Sequence, residues 1–374
     1  MNTLFLRAVL PLLLLTLVGC AARGPLLDAQ ALPALADISA QQWANATRPR
    51  NGDELLRLTP QMRAFVDAHV TERRDKDRRV RQLTRAVLHP GSLGIDYEDS
   101  YTGTAAEVFA RGRGNCLSLS LLFVAMARYA DIDAKFYEVD VVPNWTRGDD
   151  IVFATRHVNV GGRVAADAEF VLDFSPYVTR AQIHRRKLAD REAQALYYNN
   201  LGAGFLAEGD LASAWLHFSH GLQLAPSVSF LWSNLAVVYS RNGQKQAARL
   251  ALESSIHLDS DNTSALTNLA LAHEADGEHE RAAALRARIE LVQQDNPYFQ
   301  FAVAEKLLAE GDPGAALERL HAAIRMRTDE PLFFRQAAIA AAAAGKQALA
   351  ASYERKERTL IESNRARQLR ALER

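Results

Sequence analysis

One cysteine in the body of the chain stands where a nucleophile is favoured. Cys116 follows Gly112, Gly114 and Asn115 and precedes an apolar run, residues 117–129, which predicts a helix that starts at the cysteine. The unpaired amides and the positive dipole end of a helix N-terminus stabilise a thiolate, and the same amides can face a developing oxyanion. The glycines before the helix would let a substrate carbonyl approach closely.

A thiol near neutral pH is mostly protonated, so it needs a base, and that base needs an orienting group. His157 lies on a predicted strand 41 residues after Cys116, and Asp173 lies on the next predicted strand, another 16 residues on. The order helix, strand, strand would allow the three side chains to meet. The pattern therefore favours covalent catalysis through a Cys-His-Asp set.

Two alternatives stay open at this point. A tight turn at Gly161 and Gly162 would pair His157 near Ala166, and the acid would then be Asp167 or Glu169. A lone cysteine on an apolar helix is, moreover, often only a small buried hydrophobic residue.

The elements that must position these side chains are predicted from periodicity and capping signals. Residues 62–89 have the pattern of one or two amphipathic helices, and residues 104–110 that of a short helix capped by Thr102 or Thr104. The predicted strands are residues 134–142, 153–160 and 169–174. Residues 183–193 are interpreted as a linker helix.

These elements carry a family resemblance. Four segments resemble, in this order, the core of the transglutaminase-like superfamily. They are Thr104-Ala105-Ala106-Glu107-Val108-Phe109, Gly114-Asn115-Cys116, Arg156-His157-Val158-Asn159-Val160 and Val171-Leu172-Asp173-Phe174. The resemblance implies a papain-like α+β fold in which Cys116 is the nucleophile, His157 the base and Asp173 its orienting acid. No tryptophan is evident as a donor to an oxyanion; Trp145 and Asn115 are candidates for the oxyanion site or pocket.

The C-terminal half is periodic. Three registers of small residues recur every 34 residues over five periods: Gly209, Gly243, Gly277, Gly311 and Gly345; Ala214, Ala248, Ala282, Ala316 and Ala350; Gly202, Ala236, Ala270, Ala304 and Ala338. The segment resembles tetratricopeptide repeats, which implies an all-α solenoid that binds protein or peptide along its concave face. The residues expected on that face show no row of lysine or arginine: Asn199, Ser233, Thr267, Phe301 and Arg335.

The N-terminus has the pattern of a bacterial lipoprotein signal. A positive Arg7 and an apolar run of eleven residues, 8–18, precede Leu17-Val18-Gly19-Cys20, which resembles a lipobox in which Cys20 is acylated. Ala21 after the cysteine favours the outer membrane, on its periplasmic face. Residues 20–38 are interpreted as an acylated tether.

Composition excludes several classes of function. The 374 residues carry 44 lysines and arginines against 44 acidic residues, so the net charge is zero and nucleic acid is not an expected partner. Only two cysteines occur, which excludes a disulfide-stapled scaffold and a cysteine-rich zinc site. No cofactor and no metal site are expected.

The expected organisation is a signal peptide (1–19), the tether (20–38), a thiol domain (39–191) that folds on its own, five repeats (195–364) and a charged C-terminal cap (365–374). The expected activity is acyl transfer from a protein or peptide amide, with hydrolysis by a peptidase or amidase preferred. The alternatives are a cross-linking transglutaminase and a non-catalytic scaffold for envelope assembly.

Overall fold

The structure is a computed structural model of the chain. It describes residues 27–72, 74–139, 146–148, 151–153, 157–165, 168–174, 185–294 and 296–373. The signal peptide, Cys20, Trp145 and Asp167 lie outside the described residues. Among the helices of the described part, none is long and apolar enough to cross a membrane.

Five helices and a short 3-10 turn precede the main sheet. The stretch predicted as one or two amphipathic helices forms two: Thr59 caps the first and Asp75 the second. Thr104 and Glu107 form a reciprocal capping box at the next short helix, which ends at Gly112 in a left-handed conformation with φ 76°. The helices are α1 (Ala40–Asn45), α2 (Pro60–His69), α3 (Lys76–Leu88), α4 (Ala105–Arg111) and α5 (Cys116–Tyr129).

The strands form one four-stranded antiparallel sheet and two small two-stranded pairs. The strands are β1 (Asp96–Tyr97), β2 (Arg113–Gly114), β3 (Ala134–Val139), β4 (Thr146–Gly148), β5 (Ile151–Phe153), β6 (His157–Arg163), β7 (Glu169–Leu172) and β8 (Arg185–Leu188). The main sheet has the order β7-β6-β3-β8. Helix α5 packs on this sheet through β3 and β6, with Phe123 against Phe170 and Phe174.

The glycine pair in β6 corrects one expectation. Gly161 and Gly162 do not make a turn; they lie inside the strand, where Gly162 pairs with Ala134 on one side and Phe170 on the other. A Cβ atom on Gly162 would lie 1.8 Å from the carbonyl oxygen of Asp133. The glycines are therefore explained by close packing of backbone on backbone.

A second correction concerns the segment interpreted as a linker helix. Residues 185–188 form the edge strand β8, which pairs with β3, and the next helix starts only at Asp190. Leu188 is the one apolar residue of β8 that is buried, and Arg186 is bound on the surface by Glu138, 2.9 Å away. With a single inward apolar residue, the segment shows no alternation from which a strand could be predicted.

The C-terminal half consists of five helical hairpins. The helices are α6 (Asp190–Ala207), α7 (Leu211–Leu224), α8 (Ser229–Arg241), α9 (Lys245–Leu258), α10 (Thr263–Ala275), α11 (His279–Gln294), α12 (Pro297–Ala309), α13 (Pro313–Met326), α14 (Pro331–Ala343) and α15 (Gln347–Glu373). The five glycines of the first register stand in the turns between paired helices with φ between 75° and 85°. Only glycine adopts this conformation at little cost, which accounts for the strict period. The predicted repeats are thus confirmed.

One apolar core runs from the N-terminal part into the repeats. It includes residues from Ala29 to Leu269, whereas the fourth and fifth repeats have a separate core around Leu320. Hydrogen bonds cross the expected domain boundary: the Tyr198 hydroxyl donates to the carbonyl oxygen of Arg50 at 2.7 Å. The apolar core of residues 39–191 is therefore continuous with the core of the first three repeats.

Residues 27–38, here called the N-terminal strap, are not a free tether. The indole of Trp215 and the hydroxyl of Tyr239 both donate to the carbonyl oxygen of Pro33, at 3.1 and 2.7 Å. Ala29 and Leu35 are buried. A tether was expected because the segment has few large residues. The hydrogen bonds that hold the strap are accepted by its main-chain carbonyl groups, and such bonds cannot be predicted from residue types.

Candidate functional site

The thiol stands at the first residue of α5, as predicted. Asn115 is the N-cap: its Oδ1 accepts hydrogen bonds from the backbone N–H and the hydroxyl of Ser118, at 3.0 and 2.9 Å. The hydroxyl of Ser120 donates to the carbonyl oxygen of Cys116 at 2.7 Å. The start of the helix is thereby locked, and the half-buried Cys116 is a free cysteine.

Asn115 is committed to this cap and to the loop before it. Its backbone N–H donates to the carbonyl oxygen of Tyr101 at 3.0 Å, and its Nδ2 donates to the hydroxyl of Thr102 at 2.7 Å. These bonds occupy the backbone N–H and one of the two Nδ2 N–H groups of Asn115. The structure therefore favours a structural role for Asn115 over the expected oxyanion role.

The glycines before Cys116 also serve local structure. Gly112 ends α4 with a positive φ, and a Cβ atom on Gly114 would lie 3.0 Å from the Cβ of Ser118. The parallel pair β1–β2 fixes the same loop, with Tyr97 opposite Gly114. The expectation that these glycines admit a substrate carbonyl has no support in these contacts.

The structure brings His157 and Asp173 together. Nε2 of His157 lies 2.8 Å from Oδ1 and 2.7 Å from Oδ2 of Asp173. Both side chains are buried, with 7% and 9% of their surfaces exposed. His157 opens β6 and Asp173 directly follows β7, so their places in the sheet set the contact.

Cys116 also acts on His157, because its side chain raises the pKa of the imidazole. Because Nε2 contacts the carboxylate, Nδ1 is the ring nitrogen available to the thiol. Burial lowers the pKa of His157, but the hydrogen bond to Asp173 and the hydrogen bond and charge of Cys116 outweigh burial and raise this pKa to about 9. The site therefore favours a protonated imidazole between two partners that can be negatively charged.

The alternative acids are placed differently. Glu169 pairs with Arg163 at the opposite end of β6 from His157. Six residues of strand separate Arg163 from His157, a distance of about 20 Å at about 3.3 Å per residue. Glu169 is thus too far away to orient His157, and Asp167 lies outside the described residues.

Two polar residues near the site had not been singled out from the sequence. Asn159 is 4% exposed, and its Nδ2 donates to Oδ2 of Asp173 at 3.3 Å. Arg185 stacks on the ring of Tyr137 at 4.0 Å, and burial lowers its pKa. The spacing of His157 and Asn159, two residues apart on one strand, was the available signal for Asn159.

The expected concave row of the repeats is only partly exposed. Asn199 and Ser233 are buried, and Oδ1 of Asn199 accepts a hydrogen bond from Asn234 at 2.7 Å. Thr267 and Phe301 are half-buried, and Arg335 is exposed, with its Nε 2.7 Å from Glu357. Asn199 therefore joins two neighbouring repeats, whereas the Ser233 hydroxyl donates to the carbonyl oxygen of Phe230 in its own helix, and neither side chain is exposed to a ligand.

Within the described ranges, no group of three or more histidine, cysteine, aspartate or glutamate side chains is arranged to hold a metal ion. A polar surface cavity of about 490 Å³ is lined by Asp96, Tyr97, Glu98, Arg111 and Arg113. The ion pair between Arg111 and Glu98, 3.1 Å apart, crosses it. This cavity has no residue of the thiol site in its lining.

Comparison with known families identifies the part of the chain that carries the thiol. Residues 63–175 match the model of the transglutaminase-like superfamily, which confirms the resemblance predicted for this segment. No curated protein matches the chain.

Solved structures similar to the chain include repeat proteins. A MamA structure has 17% identity and a TM-score of 0.27, and covers 46% of this chain and 94% of its own. YrrB, described as a TPR protein with an unusual peptide-binding site, has 17% identity and a TM-score of 0.25, with 44% and 86% covered. PilF of Pseudomonas aeruginosa has 18% identity and a TM-score of 0.27, with 46% and 78% covered.

Proposed function

We propose that this protein, which joins a transglutaminase-like domain to tetratricopeptide-type repeats, is a thiol-dependent acyl transferase that acts on protein or peptide amides as a peptidase or amidase. The observation that carries the proposal is the array of Cys116, His157 and Asp173. The thiol stands at a helix N-terminus and interacts electrostatically with His157, and Nε2 of His157 lies 2.7 Å from the buried carboxylate of Asp173.

In the proposed reaction, the proton of the thiol already resides on His157, and the Cys116 thiolate attacks the carbonyl carbon of the amide. The C–N bond of the tetrahedral intermediate then breaks, and the amine leaves with the proton from His157. Water attacks the resulting thioester while His157 takes its proton; the acid is released and the thiol is restored. Backbone N–H groups in the first turn of α5, which have no intrahelical partner, are suited to stabilise the oxyanion.

A thiol-reactive amide mimic tests the proposal. Cys116 should be labelled rapidly in the intact protein, and His157→Ala should abolish the labelling. Asp173→Asn should slow labelling strongly, whereas Glu169→Gln, the matched change at the distant carboxylate, should leave it unchanged. Equal labelling of intact protein and His157→Ala would leave the non-catalytic scaffold as the remaining function.

The acceptor distinguishes hydrolysis from cross-linking. With a peptide amide as substrate, hydrolysis releases free acid, and amine transfer joins a supplied primary amine to the acyl group. Mass spectrometry of products formed with and without a primary amine separates the two. We expect free acid in both cases because none of the described residues next to Cys116 identifies an amine site.

For the repeats, we propose recruitment of a protein or peptide substrate. Five stacked hairpins present an extended surface of the kind that binds chains along its length. The positions on the expected face that are half-buried or exposed, Thr267, Phe301 and Arg335, lie in the third to fifth repeats. We therefore place the recruiting surface there and not in the first two repeats.

We further propose that Cys20 is acylated and anchors the protein to the outer membrane on its periplasmic face. The support is the Leu17-Val18-Gly19-Cys20 motif after an apolar run, together with Ala21. Each buried methylene of an acyl chain contributes about 0.8 kcal/mol to membrane binding. Cys20→Ser should therefore release the protein from membranes; sedimentation with membranes after a high-salt wash would contradict the anchor.

A further inference from the structure

Asn159 is a buried polar residue that the acyl-transfer steps do not use. It lies on β6 two residues after His157, so both side chains project from the same face of the strand. Val160 pairs with Leu172 on β7 in the antiparallel register. Continued by one residue, this register sets Asp173 opposite Asn159.

The amide of Asn159 contacts the same carboxylate oxygen that His157 contacts. Its Nδ2 donates to Oδ2 of Asp173 at 3.3 Å, and Nε2 of His157 lies 2.7 Å from that oxygen. Two donors from one strand face thus converge on one oxygen. A carboxylate held by two donors has less freedom to rotate than one held by a single donor.

The other half of the Asn159 side chain makes no hydrogen bond. Its Oδ1 is buried without a partner. A buried polar atom without a hydrogen bond destabilises a fold, and leucine has nearly the same shape without that cost. Local stability therefore gives no reason for asparagine here, and the donor to Asp173 is what leucine would lack.

We propose that Asn159 is a positioning residue that holds the Asp173 carboxylate against His157 and thereby keeps the imidazole directed at Cys116. The inference rests on the proposed function, because it assigns Asn159 to the same reaction. It does not make Asn159 a catalytic residue, since the amide acts only through Asp173.

Other charged and titratable side chains near His157 affect how the site responds to pH. Asp173 interacts electrostatically with Arg185, which also interacts with Glu169 and Tyr137. The charged and titratable groups to consider on the elements around His157 are Cys116 on α5, Tyr137 on β3, Asp173 and Glu169 at the ends of β7, and Arg185 on β8. A substitution of Asn159 leaves all of these residues in the protein.

The test compares Asn159→Leu with Asn268→Leu in the purified protein. Asn268 is the matched control because its Nδ2 is also buried without a partner, but it lies on α10 in the third repeat. Three quantities are measured: thermal stability, the titration of His157 by NMR of labelled histidine, and the rate of Cys116 alkylation at pH 6. Asp173→Asn serves as the reference for complete loss of the acid.

We expect Asn159→Leu to be as stable as the parent or more stable, and yet to lower the pKa of His157. Its alkylation at pH 6 should be about threefold to tenfold slower, the factor expected for the loss of one hydrogen bond of ordinary net strength. Asn268→Leu should change neither site measurement. A stable Asn159→Leu protein with an unchanged His157 titration and alkylation rate would overturn the inference.

If Asn159→Leu is unstable, Asn159→Ser and Asn159→Ala are compared instead. Asn159→Ser keeps a hydrogen-bond donor on a smaller side chain, so it should retain more of the alkylation rate than Asn159→Ala. Equal rates in these two variants would also count against the inference. Failure of the proposed function looks different: the parent protein would then alkylate no faster than His157→Ala.

Discussion

Arg128 and Asp190 form a two-point ion pair that joins the helix of the thiol to the first helix of the repeats. Nη1 of Arg128 lies 2.6 Å from Oδ2 of Asp190, and Nη2 lies 2.8 Å from Oδ1. Arg128 is in the last turn of α5, whereas Asp190 opens α6. This ion pair joins α5 directly to the first repeat, so it affects which fragments of the chain can fold.

Truncation near residue 191 should therefore fail to give a folded thiol domain. A fragment of residues 27–191 keeps only the first two residues of α6 and loses the fully buried Tyr197 and Tyr198. A fragment of residues 27–294 keeps the first three repeats and with them the shared core. We expect the longer fragment to melt cooperatively and the shorter one to be insoluble or molten, as measured by circular dichroism and dye binding. A cooperative transition in the shorter fragment would contradict a shared core.

The N-terminal strap offers a second prediction, at Gln244. Its Nε2 donates to the carbonyl oxygen of Ala34, and its Oε1 accepts from the N–H of Ala36, both at 3.0 Å. In Gln244→Ala, both bonds are lost, and the strap should open about fivefold to tenfold more often, as expected for one or two net hydrogen bonds. Limited proteolysis within residues 27–38 measures this opening.

The matched control for the strap is Lys346→Ala. Lys346 occupies the same turn position three repeats later, directly after Gly345, and is exposed. Its replacement should leave cleavage of the strap unchanged. If Gln244→Ala and Lys346→Ala were cleaved at the same rate as the parent, the strap would not be held by these bonds.

Local signals predicted much of this fold. The spacing of Thr104 and Glu107 is a capping-box pattern, and the short helix starts there. The 34-residue glycine period marks turns that need a positive φ, and all five turns have one. Cys116 was predicted at a helix start because glycines and a capping asparagine precede an apolar run. Each of these features depends on neighbours within one or two turns of the chain.

Features that depend on distant partners were not predictable in this way. The strand β8 is recognised only by its pairing with β3, since Arg185, Arg186 and Lys187 give it no apolar alternation. The Gly161–Gly162 pair has the composition of a turn. The reason for a glycine inside a strand is seen only in the structure, where the backbone of Asp133 leaves no room for a side chain at residue 162. The same holds for the strap and for the bond from Asn159 to Asp173.

A third prediction concerns pH and His157. Because its pKa in the fold is raised from 6.5 to about 9, protonated His157 contributes stability that is fully present below about pH 6.5 and is lost as the pH rises through about 9. Asp173→Asn removes the hydrogen bond that contributes most to raising this pKa. We expect the loss of thermal stability between pH 6.5 and 9.5 to be smaller in Asp173→Asn than in the parent. Identical pH dependence in the two proteins would contradict the paired, protonated state.

The last prediction compares two glycines with opposite surroundings. In Gly162→Ala, the new methyl group would lie 1.8 Å from the carbonyl oxygen and 2.9 Å from the carbonyl carbon of Asp133, so strands or loop must shift. Overpacking of this kind costs about 1–3 kcal/mol, and more where backbone must move. Gly204→Ala is the control: it lies inside α6, with no neighbouring atom within 4 Å of the new methyl group, and should stabilise by about 0.5–1 kcal/mol. Chemical denaturation of both variants gives the two free energies of unfolding. A Gly162→Ala protein as stable as the parent would show that β6 does not approach Asp133 as closely as described, and the register between β3 and β6 would then need revision.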